Sequence, residues 1–356
     1  MVKLDPSFFR FMSKEEFRVL TAIEMGMRNH ELVPLELIIQ ISKLNQSLVV
    51  RSMKDLHKHK LVWHSTMPYN GYRLTYLGYD YLALRTLTQR GVITGVAQKI
   101  GVGKEADIYL ATNEKGDELV LKFHRLGRTS FRAVKKKRDY TKGRVTTNWL
   151  YLSRLSAQKE FAFMKALYTK GFPTPIPVDC NRHCVLMSRV KGTLLANVRE
   201  IEEPIAVFHQ GLDLAVKLAE CGLIHCDLNE FNLILSDDDK LTMIDFPQMV
   251  SVHCSEAEEF FDRDVGCIKT FFWKRFGFGT EEVITLKDIE QTENLDEEVK
   301  ASGFDFKNEK LLEKARKEFV EDDSVDEEMK DDIEEDANGN DENSDNDELE
   351  ENEEQE

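Results

Sequence analysis

Residues 222–235, GLIHCDLNEFNLIL, set polar side chains into a stretch that otherwise belongs inside a core. Leu223, Ile224, Leu228, Phe231, Leu233, Ile234 and Leu235 gain by leaving water, and His225, Asp227, Glu230 and Asn232 do not. A buried carboxylate without a partner is costly, so polar groups retained in such a run have either a local partner or a task. Either way the apolar neighbours must anchor the segment and hold the polar groups at fixed spacing.

The spacing suggests the task. Asn232 lies five residues after Asp227 and Asp245 lies 18 after it. His225-x-Asp227-x4-Asn232 followed by Ile244-Asp245-Phe246 is the layout of a protein-kinase catalytic loop and metal-binding strand. In that chemistry Asp227 reaches the attacking oxygen, to accept its proton or orient it. Asn232 and Asp245 supply hard oxygen ligands to Mg²⁺, which bridges the phosphates. The competing account is a set of satisfied core polar residues. Upstream, Gly101-Val102-Gly103-Lys104 sits between two expected strands, and its glycines would let backbone N–H groups approach a triphosphate. It is not a Walker A loop, because Lys104 is followed by Glu105 and the position five before Gly103 is Gln98. Lys122 follows on the next strand, and Glu160, 38 residues on and inside a helix, is placed to pair with it. A buried lysine needs such a partner to stay charged.

The rest of the chain frames these residues. Residues 7–90 read as three helices, a hairpin and a fourth helix, the winged-helix pattern. Ser13 and Glu16 form a capping box, Pro34 opens the second helix in its first turn, and Asn45 caps the third. Leu48, Val49, Met53 and Leu56 are expected to face inward from that helix, with Arg51, Lys54, Lys58 and Lys60 outward. Asn70-Gly71 marks the hairpin. The expected fold is α+β, with a winged-helix domain at 1–91, a kinase N-lobe at 92–190, a C-lobe at 191–320 and an acidic tail at 321–356. The last helical region is expected at roughly 256–320, including KLLEKARKEFV. The tail holds 21 acidic residues and one lysine, a net of −20 against −17 for the whole chain, so the body is mildly basic at +3. Such a tail lacks the apolar content to fold alone; it is either a solubilising extension or a ligand for a basic surface. Residues 125–145 carry nine Lys/Arg and one Asp without apolar period, the pattern of a mobile insertion. No apolar run reaches membrane-spanning length, no signal peptide is expected, and six scattered cysteines fit reduced thiols in the cytosol or nucleus.

Four stretches carry a family resemblance: GVGKEADIYLA at 101–111, ELVLKFHRLGRTSFR at 118–132, IHCDLNEFNLIL at 224–235 and MIDFPQMV at 243–250. With the winged helix before them, the chain resembles the RIO family of atypical serine/threonine protein kinases, in the eukaryotic type of its winged-helix-bearing subfamily. The resemblance covers about 1–320 and implies two lobes with ATP and Mg²⁺ between them. In it Lys122 grips the α- and β-phosphates, Glu160 holds Lys122, and Gly101, Gly103 and Lys104 cover the phosphates. Met187 to Val190 form the adenine-side hinge, Asp227 acts on the nucleophile, and Asn232 and Asp245 bind the metal. It further implies Asp245 as acceptor of the γ-phosphoryl group, and a role in late cytoplasmic maturation of the small (40S) ribosomal subunit. The expected partner is the pre-40S particle, its rRNA and assembly factors, contacted through the winged helix and the 125–145 stretch. Lys135-Lys136-Lys137-Arg138 is similar to a nuclear-import signal, and Thr129 and Ser130 are candidate autophosphorylation sites.

Departures from ordinary kinases shape the expected mechanism. Pro247 stands where the DFG glycine would sit, no Ala-Pro-Glu segment follows, and Ala106 replaces a serine frequent in relatives. The usual platform for a peptide substrate is therefore missing, and slow ATP hydrolysis as a switch is the expected activity. Two alternatives stand beside it: a nucleotide-bound placeholder without required turnover, and a winged-helix nucleic-acid-binding regulator. Cys180, His183 and Cys184 lack a second ligand pair and are expected to be ordinary loop residues. In DRDVG, Asp262 and Asp264 are candidates to receive hydrogen bonds from the catalytic loop.

Overall fold

The computed structural model describes residues 4, 8–103, 105–126, 149–279 and 284–301. Helix α1 (Lys14–Gly26) begins at the expected capping box, with the Ser13 Oγ accepting from the Glu16 N–H at 3.1 Å. The Glu16 carboxylate accepts from the Ser13 N–H in return at 2.6 Å. Pro34 stands one position earlier than expected: its ψ of 151° makes it the extended N-cap of α2 (Leu35–Ser42). Asn45 caps α3 (Gln46–Lys58) through its side-chain oxygen on the Leu48 N–H, 2.9 Å. Leu48 itself points outward, contrary to expectation. The buried stripe of α3 is Val49, Ser52, Met53 and Leu56, and Leu48 falls one residue off it beside Arg51.

Strands β1 (Val62–Ser65) and β2 (Gly71–Leu74) make the hairpin, closed at Ser65 opposite Gly71. The connection is thus residues 66–70 and not a two-residue Asn-Gly turn. Gly71 is needed for another reason: a Cβ there would stand 2.8 Å from the Leu32 Cβ. Helix α4 (Tyr76–Gln89) buries nine residues around its whole circumference. It can do so because it lies between the winged helix and a five-stranded antiparallel sheet. That sheet contains β3 (Gly95–Val102), β4 (Ala106–Thr112), β5 (Glu118–His124), β6 (Pro177–Asn181) and β7 (Cys184–Ser188), in the order β3-β4-β5-β7-β6. One apolar core runs from Leu20, Ile23 and Leu56 through Leu84 and Leu87 to Leu121, Phe123 and Leu186. Helix α5 (Trp149–Thr169) packs against β5, β6 and β7.

The core of the second lobe reaches into the first, taking in Phe163, Met164 and Leu167 of α5 and Val185 and Met187 of β7. Short strand β8 (Thr193–Leu194) precedes α6 (Pro204–Glu220), and β9 (Leu223–Ile224), β10 (Leu233–Leu235), β11 (Leu241–Met243) and β12 (Val250–Ser251) follow. Helices α7 (Ala257–Phe276) and α8 (Leu295–Ala301) complete it. The expected last helical region is therefore broken. Gly277, at φ +74°, takes the left-handed conformation that ends α7, and KLLEKARKEFV lies outside the described residues.

The seam between the winged helix and the sheet holds one buried polar cluster. Arg125 donates to both Asp80 oxygens, at 2.6 and 2.8 Å, and to Asp107 at 2.9 Å. The His183 Nε2 lies 2.7 Å from Asp80 Oδ1. Arg125 was expected within the mobile insertion; it is instead 3% exposed and part of the core, as is Leu126. Residues 127–148 lie outside the described residues. His183 is committed to Asp80, and among the described residues no group of three His, Cys, Asp or Glu could hold a metal ion.

Removing one member of a buried, paired charge strands the other, at about 3–5 kcal/mol. Asp80→Ala is expected to lower unfolding free energy by that order in denaturant melts, far more than a surface Asp→Ala. Burial, opposed by Asp80, lowers the His183 pKa to about 4. An unfolded histidine titrates near ~6.5, so the stability from a neutral His183 is complete above that pH and is lost as pH falls towards 4. Melts of wild type and His183→Asn between pH 7 and 4.5 are expected to show the steeper acid loss in wild type.

Candidate active site

Four segments distant in sequence converge between the lobes. Lys122 is on β5, the central strand of the sheet, so its position is fixed by neighbours on both sides. Its Nζ donates to Glu160 Oε1 at 2.8 Å and to Asp245 Oδ1 at 2.7 Å. Burial opposes the charge on Lys122, but the carboxylates of Asp245 and Glu160 outweigh it and raise its pKa above the ordinary lysine value. Burial likewise opposes ionisation of Glu160, and Lys122 followed by His124 overcomes it, holding that carboxyl below its usual range. Glu160 is 1% exposed on α5, one residue after buried Lys159.

The catalytic-loop residues are arranged by their own hydrogen bonds. Asn232 donates to the Asp227 carbonyl at 2.8 Å and to Asp227 Oδ2 at 2.9 Å. The other carboxylate oxygen of Asp227 accepts from Asn229 at 2.8 Å. Gln248 stands 3.5 Å from Asp227 Oδ2. The loop backbone passes through the left-handed region at Cys226, φ +66°, and Asp245, two residues past β11, has φ +70°. Both are conformations that a non-glycine residue takes only where its surroundings impose them. At Cys226 those surroundings are visible. Asp264 accepts from the backbone N–H groups of Cys226 at 2.8 Å and Leu228 at 3.0 Å, and Arg263 donates to the Cys226 carbonyl. Asp264 therefore receives the expected hydrogen bonds, while Asp262 is exposed. Burial raises the Asp264 carboxyl to about 6, against the pull of the two N–H groups. His225 is 1% exposed, with its ring 5.7 Å from Phe246, and burial lowers its pKa to about 4. It packs beneath the loop as a neutral ring.

The donor set fits a magnesium-bound nucleotide. Asn232 spends its amide N–H groups on Asp227, and no hydrogen bond engages its Oδ1 among the described residues. Asp245 gives one oxygen to Lys122, no described residue engages the other, and its side chain is 40% exposed. Two free hard oxygens on one cleft wall are what Mg²⁺ uses, since it takes one or two protein oxygens and fills its shell with phosphate and water. On the opposite side, Gly101 stands near the end of β3 and the Gly103 N–H donates to the Ala106 carbonyl at 2.8 Å, which tightens the turn between β3 and β4. Neither glycine has a positive φ, and a Cβ on Gly103 would meet nothing nearer than 3.6 Å. Among the described residues no close contact requires glycine at 103. Lys104 lies outside the described residues. Met187, near the end of β7, is 7% exposed, and Val190 is half-buried just beyond the strand. Exposed Ile100 and Val102 flank Gly101 on β3.

Sequence reasoning missed His124, which joins Lys122 at Glu160. The His124 Nε2 is 2.7 Å from Glu160 Oε2, and the His124 Nδ1 is 2.9 Å from the Ser156 Oγ. Lys122 and His124 share a face of β5, and Ser156 and Glu160 share a face of α5. The strand thus holds both oxygens of one carboxylate. The i, i+2 and i, i+4 spacings were the available signal. Asn229 and Gln248, which approach Asp227, were also missed; Asn229 further accepts from the Phe231 N–H at 2.9 Å.

Comparison with known proteins places this geometry. A RIO-domain model matches residues 107–285 and a model of the Rio2 N-terminal domain matches residues 9–90. The serine/threonine-protein kinase rio2 of Dictyostelium discoideum is 53% identical over 303 residues, 85% of this chain and 58% of that protein. Its counterpart in Schizosaccharomyces pombe is 48% identical over 324 residues, 89% of this chain and 93% of that protein. The chain thus spans under two thirds of the Dictyostelium relative and nearly all of the fission-yeast one. The crystal structure of the Rio2 kinase–ADP/Mg²⁺–phosphoaspartate complex from Chaetomium thermophilum superposes with a TM-score of 0.80 at 45% identity. It covers 90% of this chain and 99% of that one.

The buried His124 contact has a measurable consequence. Separating two buried polar groups that stand 2.7 Å apart costs about 1–3 kcal/mol. His124→Ala is expected to lower stability by that order in denaturant melts, with His124→Gln, which keeps an N–H near Glu160 Oε2, recovering a substantial part. Equal loss in both variants would assign His124 to packing alone.

Proposed function

The chain belongs to the RIO-domain kinases, in the Rio2 branch, and we propose that it binds Mg-ATP between its lobes and works as a nucleotide-driven switch. The observation that carries this reading is the position of Lys122 between Glu160 and Asp245, beside an Asp227 already oriented by Asn232. Lys122 faces the α- and β-phosphates when ATP is bound, and exchanges its hydrogen bond to Asp245 for one to phosphate oxygen. That exchange frees an Asp245 oxygen. Bound magnesium offsets phosphate charge and is held by Asn232 Oδ1 and Asp245.

The carboxylate of Asp245 then attacks the γ-phosphorus. A new P–O bond forms to its oxygen, the bond to the β,γ-bridging oxygen breaks, and ADP leaves. The Chaetomium relative crystallised as a phosphoaspartate complex with ADP and Mg²⁺, which supports this acceptor. Hydrolysis follows when Asp227 takes a proton from water and the water oxygen attacks phosphorus, returning Asp245 as a carboxylate and releasing phosphate. Two steps through an acyl phosphate suit a site with no platform for a peptide substrate.

The partner we propose is the pre-40S particle, during late maturation in the cytoplasm with passage through the nucleus. On the winged helix, Arg51, Lys54 and Lys58 of α3 are exposed, and Lys54 lines a surface pocket with His57, His64 and Tyr72. Cations beside aromatic rings suit RNA phosphates and unstacked bases. The 125–145 insertion, beyond its buried first two residues, is the second RNA contact of this reading. Among the described residues no helix is long and apolar enough to cross a membrane.

Labelled ATP tests the scheme. With γ-labelled nucleotide, wild type is expected to turn over slowly and to hold label that hydroxylamine releases, and Asp245→Asn to hold none. Asp227→Ala should fall by about 10²–10⁴ in turnover while nucleotide affinity changes a few-fold. Turnover near wild type in Asp227→Ala would overturn the assignment. Full subunit maturation supported by an inactive Asp227→Ala would instead establish the placeholder.

A further inference from the structure

The winged helix has a second basic feature, away from α3 and its hairpin. Lys14 and Arg18 of α1, Lys43 at the end of α2 and Arg85 of α4 line a surface pocket of about 270 Å³. No carboxylate lines it, and none of the four cations has an ion-pair partner among the described residues. Two have an internal role. Arg18 donates to the Ser42 carbonyl at 2.5 Å, and Lys43 is the left-handed cap of α2, φ 53°, where a cation suits the helix C-terminus. The other two make no hydrogen bond or ion pair among the described residues. Lys14 is the first residue of α1, the end at which a cation is disfavoured. Arg85 is partly withdrawn from water, lies over the Phe17 ring at 3.9 Å, and burial alone lowers its pKa. Four like charges converging from three helices are self-repelling until an anion joins them.

We propose that this pocket binds the phosphate of a phosphoserine or phosphothreonine in a protein partner. The cations face one concavity and do not form a row, so they suit a single compact dianion better than the spaced monoanions of a nucleic-acid backbone. Guanidinium groups supply the forked donors that phosphate oxygens accept. Beneath them the lining is apolar, with Phe17 and Ala22 buried and Met25 49% exposed, which gives the side chains next to the phosphoresidue a surface to rest on. No residue of α3 or the hairpin contributes, so the pocket can be filled while the nucleic-acid face is engaged. The proposal is independent of nucleotide turnover.

Fluorescence anisotropy on the full chain without ATP tests it, at about 150 mM salt, where exposed charges more than about 8 Å apart are largely screened. The probes are a fluorescein-labelled heptapeptide pool with central phosphoserine, the same pool unphosphorylated, and a short single-stranded RNA. The phosphorylated pool is expected to bind at least tenfold tighter than its control and to be displaced by millimolar inorganic phosphate. Arg18→Glu with Arg85→Glu should remove at least nine tenths of that preference, and Arg51→Glu with Lys54→Glu on α3 should leave it intact. Because Arg18 also closes α2, Lys14→Glu with Lys43→Glu is the second pair, expected to weaken binding at least threefold; a carboxylate is favoured at the start of α1 and disfavoured at the end of α2, so the two effects on stability offset and the thermal midpoint is expected to move little. No preference for the phosphorylated pool, or a preference unmoved by Lys14→Glu with Lys43→Glu, would overturn the proposal. RNA binding that falls in the pocket variants while phosphopeptide binding does not would make this a nucleic-acid contact instead.

Discussion

Lys122 is the point at which the two lobes become one site. Its ammonium is buried, and a buried cation persists only if carboxylates meet it at close range. One of the two that do so, Glu160, belongs to a helix of the first lobe, and the other, Asp245, to the second lobe. The charge thus links strand, helix and lower lobe through two hydrogen bonds. The geometry also makes the link exchangeable. Glu160 is fully buried and lies close to His124 as well, whereas Asp245 is partly open to water and, in the function we propose, is the partner that an arriving phosphate displaces. Burial, more than residue type, separates the two carboxylates.

The lower lobe meets a different constraint. Ordinary kinases stabilise the catalytic loop in part through a long segment after the metal-binding strand, and here that segment is nearly absent. Helix α7 supplies the support directly. Asp264 and Arg263, adjacent on that helix, take two N–H groups and one carbonyl of the loop, and so hold Cys226 in a conformation that costs a non-glycine residue about 1–3 kcal/mol. Asp227 and Asn232 then add their own hydrogen bonds, and the loop needs no further switch to be competent. Control must come from what fills the cleft or what grips the chain elsewhere.

The site was legible in sequence because its chemistry fixes spacing. Lys122, Glu160, Asp227, Asn232 and Asp245 stand at intervals that no core pattern requires, and all five converge. The winged helix was legible for a local reason, since Ser13 with Glu16 and Asn45 with its following helix satisfy backbone donors within four residues. What was hidden depended on partners far away in the chain. Arg125 looked like the first residue of a basic insertion, because nothing near it reveals that Asp80, 45 residues earlier, waits inside the core. Helix α4 looked like the last element of a separate domain, yet its full circumference is buried because the sheet lies on its other side. Gly71 read as a turn signal, and its real constraint is the approach of Leu32. Local rules saw the elements, and only packing could assign their faces.

The shared core between winged helix and sheet changes what a nucleotide can do. Arg125 clamps Asp80 of α4 to Asp107 of β4, and Arg182, beside β7, holds both carboxylate oxygens of Glu24 of α1 at 2.8 Å. A hinge at that seam would have to expose apolar surface and separate buried charges. Between the lobes the exchangeable Lys122–Asp245 bond stands beside apolar packing of α5 and β7 on the lower lobe, so motion there is a small shift of packed surfaces. The winged helix therefore travels with the upper lobe as one rigid body. In the function we propose, a small closure over phosphate is carried to α3 and the basic pocket of α1, α2 and α4, and occupancy of the cleft sets the angle at which those two surfaces face a partner. By reciprocity, a partner that prefers one angle changes nucleotide affinity by the same factor.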